Sequence, residues 1–226
     1  MLFRSGTPHD FAGRSVGGGL TTGTCTFCHT PHKAFATQLL WNHRLSTNNF
    51  SWDATTTTAG TPYPTFKGDT YKGPSAKCLS CHDGSVAIGD VNWFNAGNPG
   101  VIDNTKITGA RQIATATGGM AGNHPVAMPF PFNNAASTYN SKTTGAGAYL
   151  DEWVADPTTN LIRLFNDDGA GNIAAGPIVA KTGIECSSCH APHNRKVADQ
   201  LFIRGKLGGN TASGTDAYIC FRCHAK

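Results

Sequence analysis

Every cysteine of this chain stands in a Cys-x-x-Cys pair, and every pair is followed at once by histidine: Cys25-Cys28-His29, Cys78-Cys81-His82, Cys186-Cys189-His190 and Cys220-Cys223-His224. With histidine at only 9 of 226 positions, four such placements by chance have a probability on the order of one in a few hundred thousand. The spacing has a chemical reason. Two thiols about one helical turn apart can each add to a vinyl group of haem, and the next residue then aims its imidazole at the iron. The chain is expected to be pinned to covalent cofactor at four places. Cys25, Cys28, Cys78, Cys81, Cys186, Cys189, Cys220 and Cys223 are the expected thioether anchors of four c-type haems, and His29, His82, His190 and His224 their proximal ligands.

Two other uses of eight thiols fit less well. Disulfides would not require a histidine after each pair, and a bridge across two residues is strained in most backbones. Zinc knuckles would need the pairs at ribbon spacing. Here they are separated by about 50, 105 and 30 residues.

Composition agrees with an interior built from something other than aliphatic side chains. Only 39% of residues are hydrophobic and 14% charged, with Gly at 27 positions and Pro at 12. Such a chain buries too little to stabilise a large core by itself. The expected fold is mostly irregular coil with short α-helices and few β-strands, a single unit wrapped around a chain of four c-type haems.

Five histidines remain for the sixth coordination positions: His9, His32, His43, His124 and His193. Bis-histidine ligation is expected for most of the irons. Met1, Met120 and Met128 are alternatives that would raise the potential, although scattered methionines usually serve packing.

The chain also repeats itself. CHTPHKAFATQLLWNHRL from Cys28 aligns with CHAPHNRKVADQLFIRGKL from Cys189, with one extra residue in the second. Each copy precedes a simple Cys-x-x-Cys-His, and each follows a histidine beside a proline, Pro8-His9 and His124-Pro125. Two pseudo-repeats, about 1–110 and 111–226, are read as a duplication. His9 then corresponds to His124 and His32 to His193, while His43 faces Gly205 and is the weakest candidate ligand.

One- or two-turn helices are expected at 24–30, 76–83, 184–190 and 218–224, with Pro31 and Pro192 stopping two of them. Residues 48–63, 95–122 and 133–147 read as loops rich in Thr, Gly and Asn, and the sequon Asn49-Phe50-Ser51 within the first as bare loop. Leu161–Phe165 and Gly176–Val179 are candidate strands of a hairpin.

Haem attachment of this kind implies export, so a periplasmic or extracellular location is expected. Met1-Leu2-Phe3-Arg4 leads into Ser, Gly, Thr and Pro without an apolar stretch, which reads as a processed form with neither signal peptide nor transmembrane segment. The net charge of +4 without cofactor is brought towards neutrality by about −1 for each oxidised haem. That argues against nucleic acid as a partner and suits contact with other cytochromes or with a second copy.

The segments SGTPHDF, CTFCHTPH, LLWNH, CLSCHDGSVAIGD, NHPV, CSSCHAPHN and the final CFRCH together resemble the doubled-CXXCH multihaem cytochromes of metal-reducing and other anaerobic prokaryotes. In size and motif count the chain resembles the extracellular OmcE-type members, which polymerise into haem-stacked filaments. The resemblance implies a loop-dominated fold, bis-histidine irons and electron transport over distance. Three functions stand side by side: a subunit of an extracellular conductive filament, a monomeric periplasmic electron shuttle, and an enzyme of the nitrite-reductase kind. The last needs an open iron, and five spare histidines leave none obviously open, so an electron-transfer protein is expected.

The duplication carries a further expectation. His32 follows the proximal His29 by three residues and lies just past Pro31, so it must reach the iron of another haem; the same holds for His193. His193 is assigned to the Cys78–Cys81 haem, and His9 and His124 to haems of their own halves. His32 is assigned to the Cys220–Cys223 haem of another chain, a head-to-tail contact that propagates as an open helix unless it closes a ring.

Overall fold

The computed structural model describes residues 7–11, 25–30, 32, 34, 40–53, 62–92, 100–101, 103–134, 153–167, 173–174, 182–193, 201–207 and 218–225. Both α-helices among them carry a cysteine pair: α1 (Pro74–His82) and α2 (Cys186–Cys189). Pro74 opens α1 at a position where a missing N–H is harmless. Ala76 and Leu79 are its buried apolar residues, and the Asp83 N–H closes it on Leu79 O at 3.1 Å. No helix among the described residues is long and apolar enough to cross a membrane.

The strands are two or three residues long. β1 (Asn49–Phe50) pairs antiparallel with β2 (Phe66–Lys67), and β3 (Asp90–Val91) with β4 (Gly100–Val101). β5 (Met128–Pro129), β6 (Phe165–Asp167), β7 (Ile173–Ala174) and β8 (Thr182–Ile184) form one antiparallel sheet in the order β5-β8-β6-β7. The sheet delivers the chain directly into α2, one residue after β8.

Several local expectations are corrected. The first motif forms hydrogen-bonded turns rather than a helix, and the fourth a short 3-10 turn, Ile219–Arg222. α2 stops at Cys189 because the backbone of His190 is extended and engaged in a bridge with Ile203. The hairpin has a different register: β6 begins at Phe165 and pairs with Ile173–Ala174, since Ile162 and Leu164 are buried in the core instead of joining a ladder. Residues 176–179 lie outside the described residues. Asn49-Phe50 is strand rather than loop, because Phe50, at 0% exposure, has a core to fill.

One apolar cluster holds Phe50, Phe66, Tyr71, Leu79, Met120, Phe130, Ile162, Leu164, Phe165 and Ile184 with smaller neighbours. α1, β1, β2 and the four-stranded sheet meet there, which fixes the second motif against the third. Met120 therefore packs in the core; Met128 lies half-buried in β5, and Met1 is outside the described residues.

Candidate haem-binding sites

Each motif presents its cysteines and histidine on about one turn of backbone. In the first, third and fourth, the histidine N–H donates to the carbonyl of the first cysteine: His29 to Cys25 at 2.9 Å, His190 to Cys186 at 3.0 Å and His224 to Cys220 at 2.9 Å. The second lies within α1. All eight cysteines are free thiols, and among the described residues no three or more His, Cys, Asp or Glu side chains form a group that could hold a metal ion.

A second stretch of chain clamps each histidine. His29 forms an isolated antiparallel bridge with Trp41, flanked by Thr30 N–H donating to Leu40 O (2.8 Å) and Asn42 N–H to Cys28 O (2.9 Å). The same bonds recur in the second half: His190 bridges Ile203, Ala191 N–H donates to Phe202 O (2.7 Å), and Arg204 N–H to Cys189 O (2.8 Å). Leu40 and Phe202 occupy equivalent places and both have positive φ, 50° and 58°, an uncommon conformation for side chains of this size. Even the side chains match, with Asn42 Nδ2 donating to Thr26 O at 2.8 Å and Arg204 Nε to Ser187 O at 3.3 Å. His224 bridges Trp153, and Ile113 N–H donates to His82 O at 2.7 Å.

The clamps also orient rings. Nδ1 of His82 lies 2.8 Å from Arg111 O, Nδ1 of His190 2.7 Å from Leu201 O, and Nδ1 of His124 2.8 Å from Pro125 O. A carbonyl accepts only from a protonated nitrogen, so Nε2 is left with its lone pair for a metal.

Three imidazole pairs face each other across the chain. His9 and His82 have ring centroids 6.0 Å apart, His29 and His193 6.2 Å, and His124 and His224 6.4 Å. Two imidazoles bound to one metal through nitrogens about 2 Å away place their centroids roughly 6 Å apart, so each pair fits a single iron between its rings. His9 is pushed down to about 4 by burial and then by His82 beside it, which favours the neutral, ligating form. All nine histidines lie among the described residues, and beyond the three pairs stand His32, His43 and His190. No ring contact among the described residues pairs His190 with another imidazole, although its charge, after those of His82 and His193, acts on His9. His32 is exposed, held in a tight turn in which Thr30 Oγ1 donates to His32 O at 2.8 Å.

The ring contacts differ from the expected assignment at two points. His193 stands against His29, not against His82, whose partner is His9. The His224 ring of the fourth motif adjoins His124 of its own chain, in the place expected for His32; the proximal histidine without such a ring contact among the described residues is His190. The physical reason is that the two doubled motifs face each other across the halves, which local spacing does not reveal. His43 takes another role. It is 1% exposed, with Nδ1 2.9 Å from Arg44 O and Nε2 2.8 Å from Ala87 O, and its Nε2 lies 3.4 Å from Cys81 Sγ.

The thiols of successive motifs adjoin. Burial, then the nearby Cys81 thiol, pushes Cys28 up to about 12. The Cys78 and Cys186 thiols hydrogen-bond to each other, which pushes Cys78 up. Burial raises Cys223 to about 12, with Cys189 the next cause. These contacts run first to second, second to third, and third to fourth, so spatial order follows chain order.

Residues 178–226, spanning the last two motifs, match the family model of the doubled CXXCH motif. The chain binds c-type haem covalently. The motifs imply a haem-binding cytochrome and support electron transport, and the paired imidazoles are spaced so that each pair could hold one iron. Comparison with curated proteins gives no match.

Sequence reasoning missed two contributors. Glu185 and Ser75 tie α2 to α1: Glu185 Oε2 accepts the Ser75 N–H at 2.9 Å, and Ser75 Oγ accepts the Cys186 N–H at 3.0 Å. Glu185 precedes its motif as a helix N-cap, a local signal, but its reach to Ser75 has none. The clamp residues Trp41 and Ile203 were visible only as aligned positions of the repeat.

Proposed function

We propose that the chain is a tetrahaem c-type cytochrome of the OmcE-like kind, exported, and the subunit of an extracellular conductive filament. It is an electron carrier and not an enzyme. Bound haem supplies a one-electron iron couple at each motif. The chain's own residues hold these couples in sequence order through adjoining cysteine pairs and supply imidazoles on both sides of the irons.

The observation that carries the reading is that, of the four proximal histidines, His29, His82 and His224 have imidazole ring contacts whereas His190 has none among the described residues, and exposed His32 is left over beside it. Within one chain the second doubled motif sends His193 to His29 of the first. The same relation, applied once more along the repeats, sends His32 of one chain to His190 of another. Such a contact is head-to-tail, and it propagates unless its rotation closes a ring. The filament would pass electrons to other cytochromes or to extracellular acceptors.

A second reading has a specific observation in its favour. A chain that stayed monomeric would leave one protein ligand at the third site, the arrangement of a multihaem reductase or of a shuttle with one exchangeable position. Negative-stain imaging of wild type and His32→Ala separates the two. The filament reading expects wild-type fibres, and in the variant dispersed particles with four covalent haems and one high-spin iron. Variant fibres with all irons low-spin would overturn it.

A further inference from the structure

Between the two cysteine-bearing helices lies a carboxylate that haem attachment does not use. Glu185 is 0% exposed. One oxygen, Oε2, accepts the Ser75 backbone N–H at 2.9 Å, and the other, Oε1, accepts the Tyr71 hydroxyl. The helices it joins belong to the second and third motifs, whose Cys78 and Cys186 thiols touch. Two redox centres are thus anchored within a few residues of one buried ionisable group.

We propose that Glu185 is a proton-binding site coupled to the electron occupancy of the haems at the second and third motifs. The inference rests on the reading that both motifs carry haem. A positive charge on an oxidised iron favours the carboxylate, and reduction removes that charge, so electron uptake draws a proton. The electron comes from an external one-electron reductant such as a viologen, and no bond is broken at the iron. The proton comes from water and forms an O–H bond at Glu185 Oε1, because the Tyr71 hydroxyl can turn from donor to acceptor whereas the Ser75 N–H facing Oε2 cannot.

The titratable groups facing Glu185 are few. Tyr71 precedes α1. Lys77 on α1 is 4% exposed, its Nζ donating to Lys72 O at 2.8 Å. The Cys78 and Cys186 thiols lose their protons to thioether formation. Burial pushes Glu185 up to about 7, against the hydrogen bonds from Ser75 and Tyr71 and the charge of Lys77, which puts its proton exchange in the neutral range.

The test is a spectroelectrochemical titration of the intact haem-loaded protein at pH values on both sides of 7, with redox-difference infrared spectra on the same samples. In wild type, part of the midpoint distribution shifts to lower potential as pH rises, and a carboxylic C=O band grows on reduction. Glu185→Gln holds those midpoints at their low-pH position and loses both the slope and the band. Tyr71→Phe removes a donor to the carboxylate, so its slope is centred at higher pH. Wild-type midpoints that do not move with pH would overturn the proposal, as would a slope and band surviving in Glu185→Gln. If that variant fails to fold, an unmoved slope in Tyr71→Phe overturns it instead. Intact mass on the same preparation separates the two readings. Fewer than four haem additions would sink the tetrahaem reading, whereas four with flat potentials would sink only the role of Glu185.

Discussion

His193 faces His29 at 6.2 Å between ring centroids and 36° between ring planes, although the two residues belong to different repeats. That contact joins the halves through their doubled motifs, so removing it should be legible at one site alone. His193→Ala is expected to keep every covalent haem and to convert one iron per chain from low spin to high spin, read by electron paramagnetic resonance. His9→Ala and His124→Ala should each do the same at the second and fourth motifs. A variant that lost haem, or that stayed fully low-spin, would contradict the pairing.

Thioether bonds survive unfolding whereas axial bonds do not. Denatured wild type should therefore retain four haem additions by intact mass spectrometry. An unmodified mass would remove the basis of the proposed function.

Carbon monoxide reads coordination directly. Fibres, with His32 supplied between chains, should bind it slowly or not at all after reduction. Particles of His32→Ala should bind one equivalent per chain rapidly, at the motif of His190. Stoichiometric binding at several sites in fibres would revive the reductase reading.

His43 offers a contrasting expectation. With both ring nitrogens on backbone carbonyls, His43→Leu should leave the visible spectrum unchanged. A neutral imidazole donates to one of these carbonyls, so the substitution strips one buried carbonyl of its donor and should lower stability by roughly 1–3 kcal/mol in denaturant titrations.

Glu185 also bears on stability, and the sign follows from its raised value. Burial moves it from 4.5 to about 7, so the folded protein holds the proton more tightly than the unfolded chain does. Its contribution is fully present below the ordinary value and is lost as pH rises towards the raised one, a change on the order of 3 kcal/mol. Glu185→Gln should therefore gain on wild type as pH rises across that interval, measured by denaturant midpoints at several pH values.

What could be read from sequence was whatever the chemistry makes local. Cys25 to His29 and its three counterparts are short motifs because one haem must meet two thiols and an imidazole on one turn. The correspondences of His9 with His124 and of His32 with His193 were equally plain, since they are matters of alignment. Which imidazole each of these histidines stands against was not, because His9 lies far along the chain from His82, and His193 farther still from His29. Only the packing of the halves brings them together. The strand at Phe165 was misplaced for a similar reason: Ile162 and Leu164 alternate like a strand, but the core takes their side chains and leaves pairing to the residues that follow.

The two clamps around His29 and His190 close with the same bonds, yet the second encloses one residue more than the first. Geometry at the histidine is thus insulated from the length of the segment between the closing points. Evolution can vary that segment without retuning the metal site, and so can an engineer.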